Sequence, residues 1–447
     1  MAGLLAARVL LDHFAHVTVV GRCSAVDARP SGHVLAVQGF RTLERLFPGL
    51  AAELALAGAS SVDWTADCPT LLPAGWAARF RSGLVTRAIS GEGLAQTVRR
   101  RLIEYGGDRL SLAESARAVG LLWDSSRVSG VRLADDDAPE AATLTTACAD
   151  FVVDASGRAS QAAAWLAYAG FDVSVESPVS APAVYVRAVF RRPGNADPNW
   201  RALLIVPVPG CIGVLLHPLE SQRWAVTVDL PPGANPPAEL DALLALVRNL
   251  PTPAIYDALR AAAPLEPVRV YAHPGSCARA YHRLARWPDG FAVTGEAVCA
   301  LDPAYGHSLA AVVLAAQALD AGITEQRRAY PDGALDNLGQ RLQSAQAAAH
   351  AAPVRAAVAF AAWRTGDAGA LAGRCADALL TAAAATPDAY RALLETFTLT
   401  RPLSALLRPS AALRALRPAP PLAAPGPIPP APDPGAQRST QELAALS

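Results

Sequence analysis

The sequence predicts an α/β fold: a parallel sheet flanked by helices, an antiparallel sheet inserted into it, and a helical C-terminal region. Three segments carry that reading. The chain opens Met1-Ala2-Gly3-Leu4-Leu5-Ala6-Ala7-Arg8-Val9-Leu10, breaks at Asp12-His13 and resumes as the β-branched run His16–Val20. This is the back half of a Rossmann-like G-x-G-x-x-G turn, in which two glycines admit a pyrophosphate to the backbone and the third lets helix and strand pack closely. Of the three, Gly3 alone is present, so the motif opens midway and predicts a start upstream of Met1.

The second segment, Phe151-Val152-Val153-Asp154-Ala155-Ser156-Gly157-Arg158, is a buried-strand pattern that ends on an acid and a glycine. Such an ending suits a backbone passing close to a bound cofactor; a strand followed by a capped helix fits it as well. The third runs from Phe291 to Ser308: a strand, the carboxylate of Glu296, a turn through Asp302-Pro303, then Gly306 and an alanine-rich helix. A turn entering a helix N-terminus suits ligand hydroxyls and the electron-rich edge of a ring.

In this order and spacing the segments resemble the class A flavoprotein monooxygenases, in the branch of phenol and polyketide hydroxylases and squalene epoxidases. Leu43–Leu50, Arg286–Phe291, Leu301–Gly306 and Trp363–Asp367 match the same pattern, so the resemblance runs over nearly the whole chain. It implies a Rossmann-like FAD-binding domain with a parallel sheet, and an antiparallel sheet that walls the substrate pocket. It also implies FAD as cofactor, NAD(P)H as reductant, and transfer of one oxygen atom from O2 to an apolar aromatic or polyene substrate. The cofactor-binding positions it implies are Gly3, Arg22, Arg99, Asp154, Gly157, Gly295, Glu296, Pro303 and Gly306. No catalytic acid or base follows from it.

Four departures fall where such enzymes touch FAD. Gly21 stands in place of the glutamate that accepts from the adenosine ribose, ahead of a matching Arg22, and Gly91 replaces an arginine after Ser90. Glu296 is one methylene longer than the usual aspartate, and Ser308 replaces a glycine. Arg99 is either a phosphate ligand or a solvated member of Arg99-Arg100-Arg101. His307 is read first as a loop histidine facing solvent or capping the helix, and second as a group that stabilises negative charge on a reduced ring. Two rivals follow: a catalytically silent homologue that binds a small apolar ligand without FAD, and a flavin reductase of isoprenoid double bonds.

Composition narrows the classes. With 39 basic and 39 acidic residues the net charge is zero, which leaves no surplus for general nucleic-acid binding. Every basic residue is arginine, so Schiff-base lysine chemistry is excluded. The seven cysteines are scattered, with no C-x-x-C pair and no metal-ligand spacing, as expected of reduced cytoplasmic thiols. Cys299 reads as a small buried hydrophobe. The apolar run Leu309–Leu319 is shorter than the roughly 20 residues of a spanning helix, so no membrane span is expected.

The predicted organisation is a cofactor domain at 1–165, a substrate domain at 166–284, a return to the cofactor domain at 285–330, a helical region at 331–417 and a Pro-rich, poorly ordered tail at 418–447. A helix is expected over Leu94–Leu102 and a hairpin near Ser129-Gly130. Ala183–Phe190, Leu203–Val208, Cys211–Leu216 and Trp224–Asp229 are β-rich runs between Pro and Gly turns, predicting an antiparallel sheet. Tyr185 and Trp224 are candidates for its apolar pocket wall, with ordinary sheet packing the favoured reading of each. Leu399–Arg417, with arginines among leucines, is expected to pack as a helix on the catalytic body rather than lie on a membrane surface.

Overall fold

The computed structural model describes residues 1–21, 32–34, 36–135, 144–173, 176–194, 198–303, 306–367, 369–406 and 426–432. The chain forms two compact units. One comprises Met1–Ala57, Ser90–Pro182 and Pro274–Val358; the other comprises Gly58–Ile89, Ala183–His273 and Ala359–Ser447.

In the first unit the Ala2–His13 helix buries Leu4, Leu5, Val9 and Leu11, the apolar stripe that its sequence spaces at helical intervals. The Val17–Val20 strand follows, parallel to Leu110–Ala113. A second parallel pair joins Val152–Asp154 to Phe291–Val293, with Val153 opposite Ala292. Among the described residues no strand links the two pairs, yet Phe14 and Phe151, at the entry to one strand of each, stack at 6.2 Å between ring centroids. The Gly91–Gly106 helix, whose N-cap Ser90 accepts from the Gly93 amide, packs on the Ala2–His13 helix. It overruns the expected Leu94–Leu102 at both ends.

Ala116–Asp124, Arg127–Asp135 and Thr145–Cys148 form an antiparallel meander. Its first turn is at Ser125, where φ is +55°, not at Ser129-Gly130. Gly130 lies inside the second strand, and a Cβ there would stand 2.2 Å from the Ala147 carbonyl oxygen. That glycine therefore serves the close approach of a neighbouring strand.

The His307–Ala329 helix has 23 residues and a window of mean hydropathy 1.3, long and apolar enough to cross a membrane by length and composition. The helix begins two residues before the apolar run Leu309–Leu319 and ends ten residues after it. In this fold 61% of the window is buried, and the helix packs on the Ala2–His13 and Val37–Leu46 helices. The Leu338–Thr365 helix starts in the same unit, where the Gln343 and Gln346 amides both donate to the Val293 carbonyl at 3.1 and 2.7 Å.

The second unit is built on an eight-stranded sheet. Ala183–Arg191 pairs on one side with Arg269–His273 and on the other with Arg223–Leu230, followed by Gly213–Leu219 and Leu203–Ile205, all antiparallel. Leu203–Ile205 then pairs in parallel with Thr70–Leu72. Val186, Phe190, Leu216, Trp224 and Val226 form a core with Leu243, Val247, Ile255 and Leu259, which belong to the Leu240–Arg248 and Ala254–Arg260 helices. Trp224 lies opposite Phe190 in the ladder and stacks on Trp200 at 5.9 Å. It is a core residue on the helix-covered face, while Tyr185, five positions from Phe190, lies on the other face.

The unit boundaries differ from the expected domains. Residues 58–89 join the antiparallel sheet because Thr70–Leu72 extends it, and 166–182 and 274–284 fall in the first unit. The helical region continues through Gly369–Ala385 and Pro387–Phe397, where the Tyr390 hydroxyl donates to Thr70 Oγ1 at 2.7 Å. Leu403–Leu406 is a 3-10 turn rather than an α-helix; the remainder of Leu399–Arg417 from residue 407 lies outside the described residues. In the Pro-rich tail, residues 426–432 are docked rather than loose. Ile428 packs on the sheet core, and Trp76 Nε1 and the Arg79 guanidinium donate to the Gly426 and Pro429 carbonyls at 2.8 and 2.9 Å.

Candidate cofactor site

The parallel pair Val152–Asp154 and Phe291–Val293 delivers two turns side by side at its C-terminal edge, where the Thr294 amide donates to the Asp154 carbonyl at 2.8 Å. In open α/β sheets this edge is where ligands bind. Asp154 is buried. One carboxylate oxygen accepts from the Ser156 amide at 2.8 Å and the other from the Ser160 hydroxyl at 2.5 Å, so the acid holds its own turn closed. Gly157 follows at φ +84°, and a Cβ there would lie 4.0 Å from Glu296 Oε2.

The second turn carries Gly295 at φ +63°. A Cβ on Gly295 would stand 2.5 Å from the Ala2 side chain, so the N-terminus of the Ala2–His13 helix abuts this turn. Gly3 lies beside the first turn: a Cβ there would meet that of Ala155 at 3.9 Å, an ordinary contact. Close packing at this end of the helix therefore falls on Gly295, where the sequence pattern had placed it on Gly3.

Glu296, in the 3-10 turn Gly295–Ala297, accepts from the Ser308 hydroxyl at 2.7 Å. The Pro303 carbonyl accepts from the Gly306 amide at 3.1 Å, and Gly306 at φ +75° caps the His307–Ala329 helix without a side-chain bond. His307 is buried at 3% exposure, so it does not face solvent. Cys299 is buried with Leu301 and Ala311, and burial pushes its thiol up to about 12, leaving a neutral apolar group.

Gly3, Asp154, Gly157, Gly295 and Glu296 are thus gathered around two adjacent turns, with Pro303 and Gly306 linked to them through Ser308. Arg99 makes a different contact. Its guanidinium pairs with Glu114 at 2.5 Å, beyond the strand Leu110–Ala113, and its Nε has no acceptor. Arg22 lies outside the described residues. Two arginines that the site reading left out strap the loops together. Arg158 donates to the Gly275 and Ala300 carbonyls at 2.6 and 3.2 Å, and Arg279 donates to those of Arg158 and Ala297, both at 3.0 Å. Arg158 closes the Asp154 motif, which was the available signal; Arg279 had none.

Both helices entering the site lack a side-chain N-cap bond and an acid in the first turn. Their first-turn N–H groups and positive dipole ends suit an anion or an electron-rich ring edge. The arrangement fits a dinucleotide at its backbone groups. It fits less well at its carboxylates, which are engaged by serines.

No known family model matches the chain. A curated relative, Protein Rv3254 of Mycobacterium tuberculosis, is 27% identical over 331 residues, covering 69% of this chain and 68% of its own. Among solved structures, PqsL of Pseudomonas aeruginosa, described as a probable FAD-dependent monooxygenase, superposes with a TM-score of 0.61 at 18% identity, covering 82% of this chain and 94% of its own. The p-nitrophenol 4-monooxygenase PnpA of Pseudomonas putida gives 0.63 at 14% identity, covering 89% and 95%. The flavin-dependent brominase Bmp2 gives 0.64 at 13%, covering 89% and 90%. The chain therefore has the α/β fold of the flavin-dependent monooxygenases and halogenases.

Proposed function

We propose that the chain is an FAD-dependent monooxygenase, using NAD(P)H and O2 to place one oxygen atom on an aromatic or polyene substrate in the cytoplasm. The observation that carries this is the convergence of three sequence-distant segments, at Ala2-Gly3, Asp154–Gly157 and Gly295–Ser308, on one point at the edge of a parallel sheet. FAD, when bound, supplies the redox chemistry. The chain's own part is to bind and orient it: the N–H groups at Ala2-Gly3 toward phosphate, the Glu296 carboxylate toward ribityl hydroxyls, and the His307 end of its helix toward the ring. Burial of Val293, Cys299 and Leu301 beside these turns excludes water, as oxygen transfer requires.

A second reading, a homologue that keeps the fold without flavin chemistry, is favoured by a specific observation. Asp154, Glu296 and Arg99 all spend charge on partners within the chain. One experiment separates the readings. The protein is reconstituted with FAD and supplied with NADPH or NADH, candidate aromatic and polyene substrates, and 18O-labelled O2. Flavin retained through gel filtration with label in the product supports the oxygenase, and flavin retention with reduced, unlabelled product indicates a reductase. Absence of flavin uptake supports the silent homologue.

A further inference from the structure

The eight-stranded sheet has a helix-covered face built on Phe190 and Trp224, and its opposite face carries a concentration of cations that the proposed activity does not use. From the ladder register, Arg187 lies directly opposite Arg269, and Arg191 directly opposite Arg223. Arg187 and Arg191 are four apart in one strand, so all four arginines share one face. Opposed like charges in adjacent strands are unfavourable unless something of opposite sign sits between them. Two acids are available, Glu220 paired with Arg223 at 2.6 Å and Glu266 reaching Arg269 at 4.0 Å, while Asp229 on the same face is held by Arg364. Four guanidinium groups against two carboxylates leave a surplus of two positive charges.

Arg187 has the least satisfied position of the four. It is half-buried, its Nε has no acceptor, and it makes no ion pair with a described residue, whereas Arg269 is 54% exposed. Burial holds its guanidinium below the usual arginine range, with Glu266, Tyr271 and Glu220 opposing that shift and Arg223 adding to it. A half-buried cation with an idle donor is costly unless an anion completes it.

We propose that this face of the sheet is an anion site, with Arg187 as its floor and Arg191, Arg223 and Arg269 as its rim, that takes a phosphate or pyrophosphate group. Two surplus charges match a doubly charged anion. Planar guanidinium forks suit phosphate oxygens pairwise, and the idle Nε with its neighbouring terminal nitrogen supplies one such fork. The phosphate can be free or part of a dinucleotide, and the assay distinguishes them.

The test is calorimetric titration of the full chain with inorganic pyrophosphate at fixed ionic strength, using wild type, Arg187→Gln, Arg269→Gln and, as control, Arg260→Gln, whose partner is Asp257 on a surface helix. Saturable binding by wild type and the control, weakened about tenfold or more in Arg187→Gln and Arg269→Gln, is the expected result, since a hydrogen bond to a charged group contributes on that scale. Arg269 is exposed, so its variant decides the matter if Arg187→Gln does not fold. Competition by NADPH, stronger than by NADH, assigns the site to a phosphorylated dinucleotide; lack of competition assigns it to a free phosphate compound. Non-saturable heats, or equal binding by all four proteins, overturn the proposal.

Discussion

The Ser308 hydroxyl donates to Glu296 Oε1 at 2.7 Å, and these are two of the positions at which the chain departs from the flavoprotein pattern it resembles. The longer acid reaches across the turn, and the hydroxyl that replaces a glycine meets it. Each change supplies the other's partner. We predict that Ser308→Ala and Glu296→Asp each destabilise the fold by about 1 kcal/mol, the usual net worth of such a bond. The double variant Glu296→Asp/Ser308→Ala should cost less than the sum of its singles, with a coupling of at least about 0.5 kcal/mol. Urea unfolding of the four proteins measures it; strict additivity would refute the coupling.

Gly295 is constrained twice, by φ +63° and by Ala2 at 2.5 Å from where its Cβ would be. Gly295→Ala should lower stability by about 2 kcal/mol or more, since left-handed strain and a side-chain clash add. Pairing it with Ala2→Gly relieves the clash and leaves the strain, so thermal unfolding should show partial recovery. By contrast Gly3→Ala, with 3.9 Å of room, should cost little.

Much of this fold was legible because its signals are local. The runs at Ala183, Leu203 and Trp224 became strands where β-branched residues sit between Pro and Gly turns, and the Asp154 and Gly295 motifs became adjacent turns. What was not legible depends on pairing between distant segments. Residues 58–89 were assigned to the cofactor part because nothing in Thr70–Leu72 announces its partner, Leu203–Ile205. For Trp224 the period of two leaves both readings open, pocket wall and the favoured sheet packing, because alternation does not say which face is covered; the core position is the one it takes. The serines that occupy Asp154 and Glu296 were visible as letters, but their role depends on turn geometry. Ile428 found a seat on the sheet core that composition alone, dominated by proline, does not indicate.

Two buried histidines make the fold acid-sensitive. Burial pushes His217 down to about 4, with Arg187 adding to the shift, and burial likewise holds His350 at about 4. In the unfolded chain a histidine binds its proton near 6.5, so between pH 6.5 and 4 the unfolded state carries more protons. Stability is then full above about pH 6.5 and falls as pH drops through that window, by up to about 1.4 kcal/mol per pH unit for each histidine. Urea midpoints measured from pH 7 to 4.5 should fall, and His217→Leu should reduce the slope. An unchanged slope in that variant would show that His217 carries none of it.

Arg364 and Asp229 form an ion pair with 10% and 6% of their side chains exposed. It joins the C-terminal part of the Leu338–Thr365 helix to the central strand Arg223–Leu230, and the Arg364 guanidinium also reaches the Leu230 carbonyl at 3.3 Å. Removing one partner from so dry a site takes the opposite charge from the other. Arg364→Met should therefore destabilise the protein by about 3 to 5 kcal/mol. Removing both charges is different, because two apolar side chains of similar volume need no desolvation of ions. Asp229→Leu/Arg364→Met should recover most of the loss and can equal wild type. Chemical denaturation with circular dichroism and tryptophan fluorescence as paired probes distinguishes these outcomes. If Arg364→Met alone costs less than about 1 kcal/mol, typical of an exposed pair, water reaches the site and the pair does not anchor the helix to the sheet.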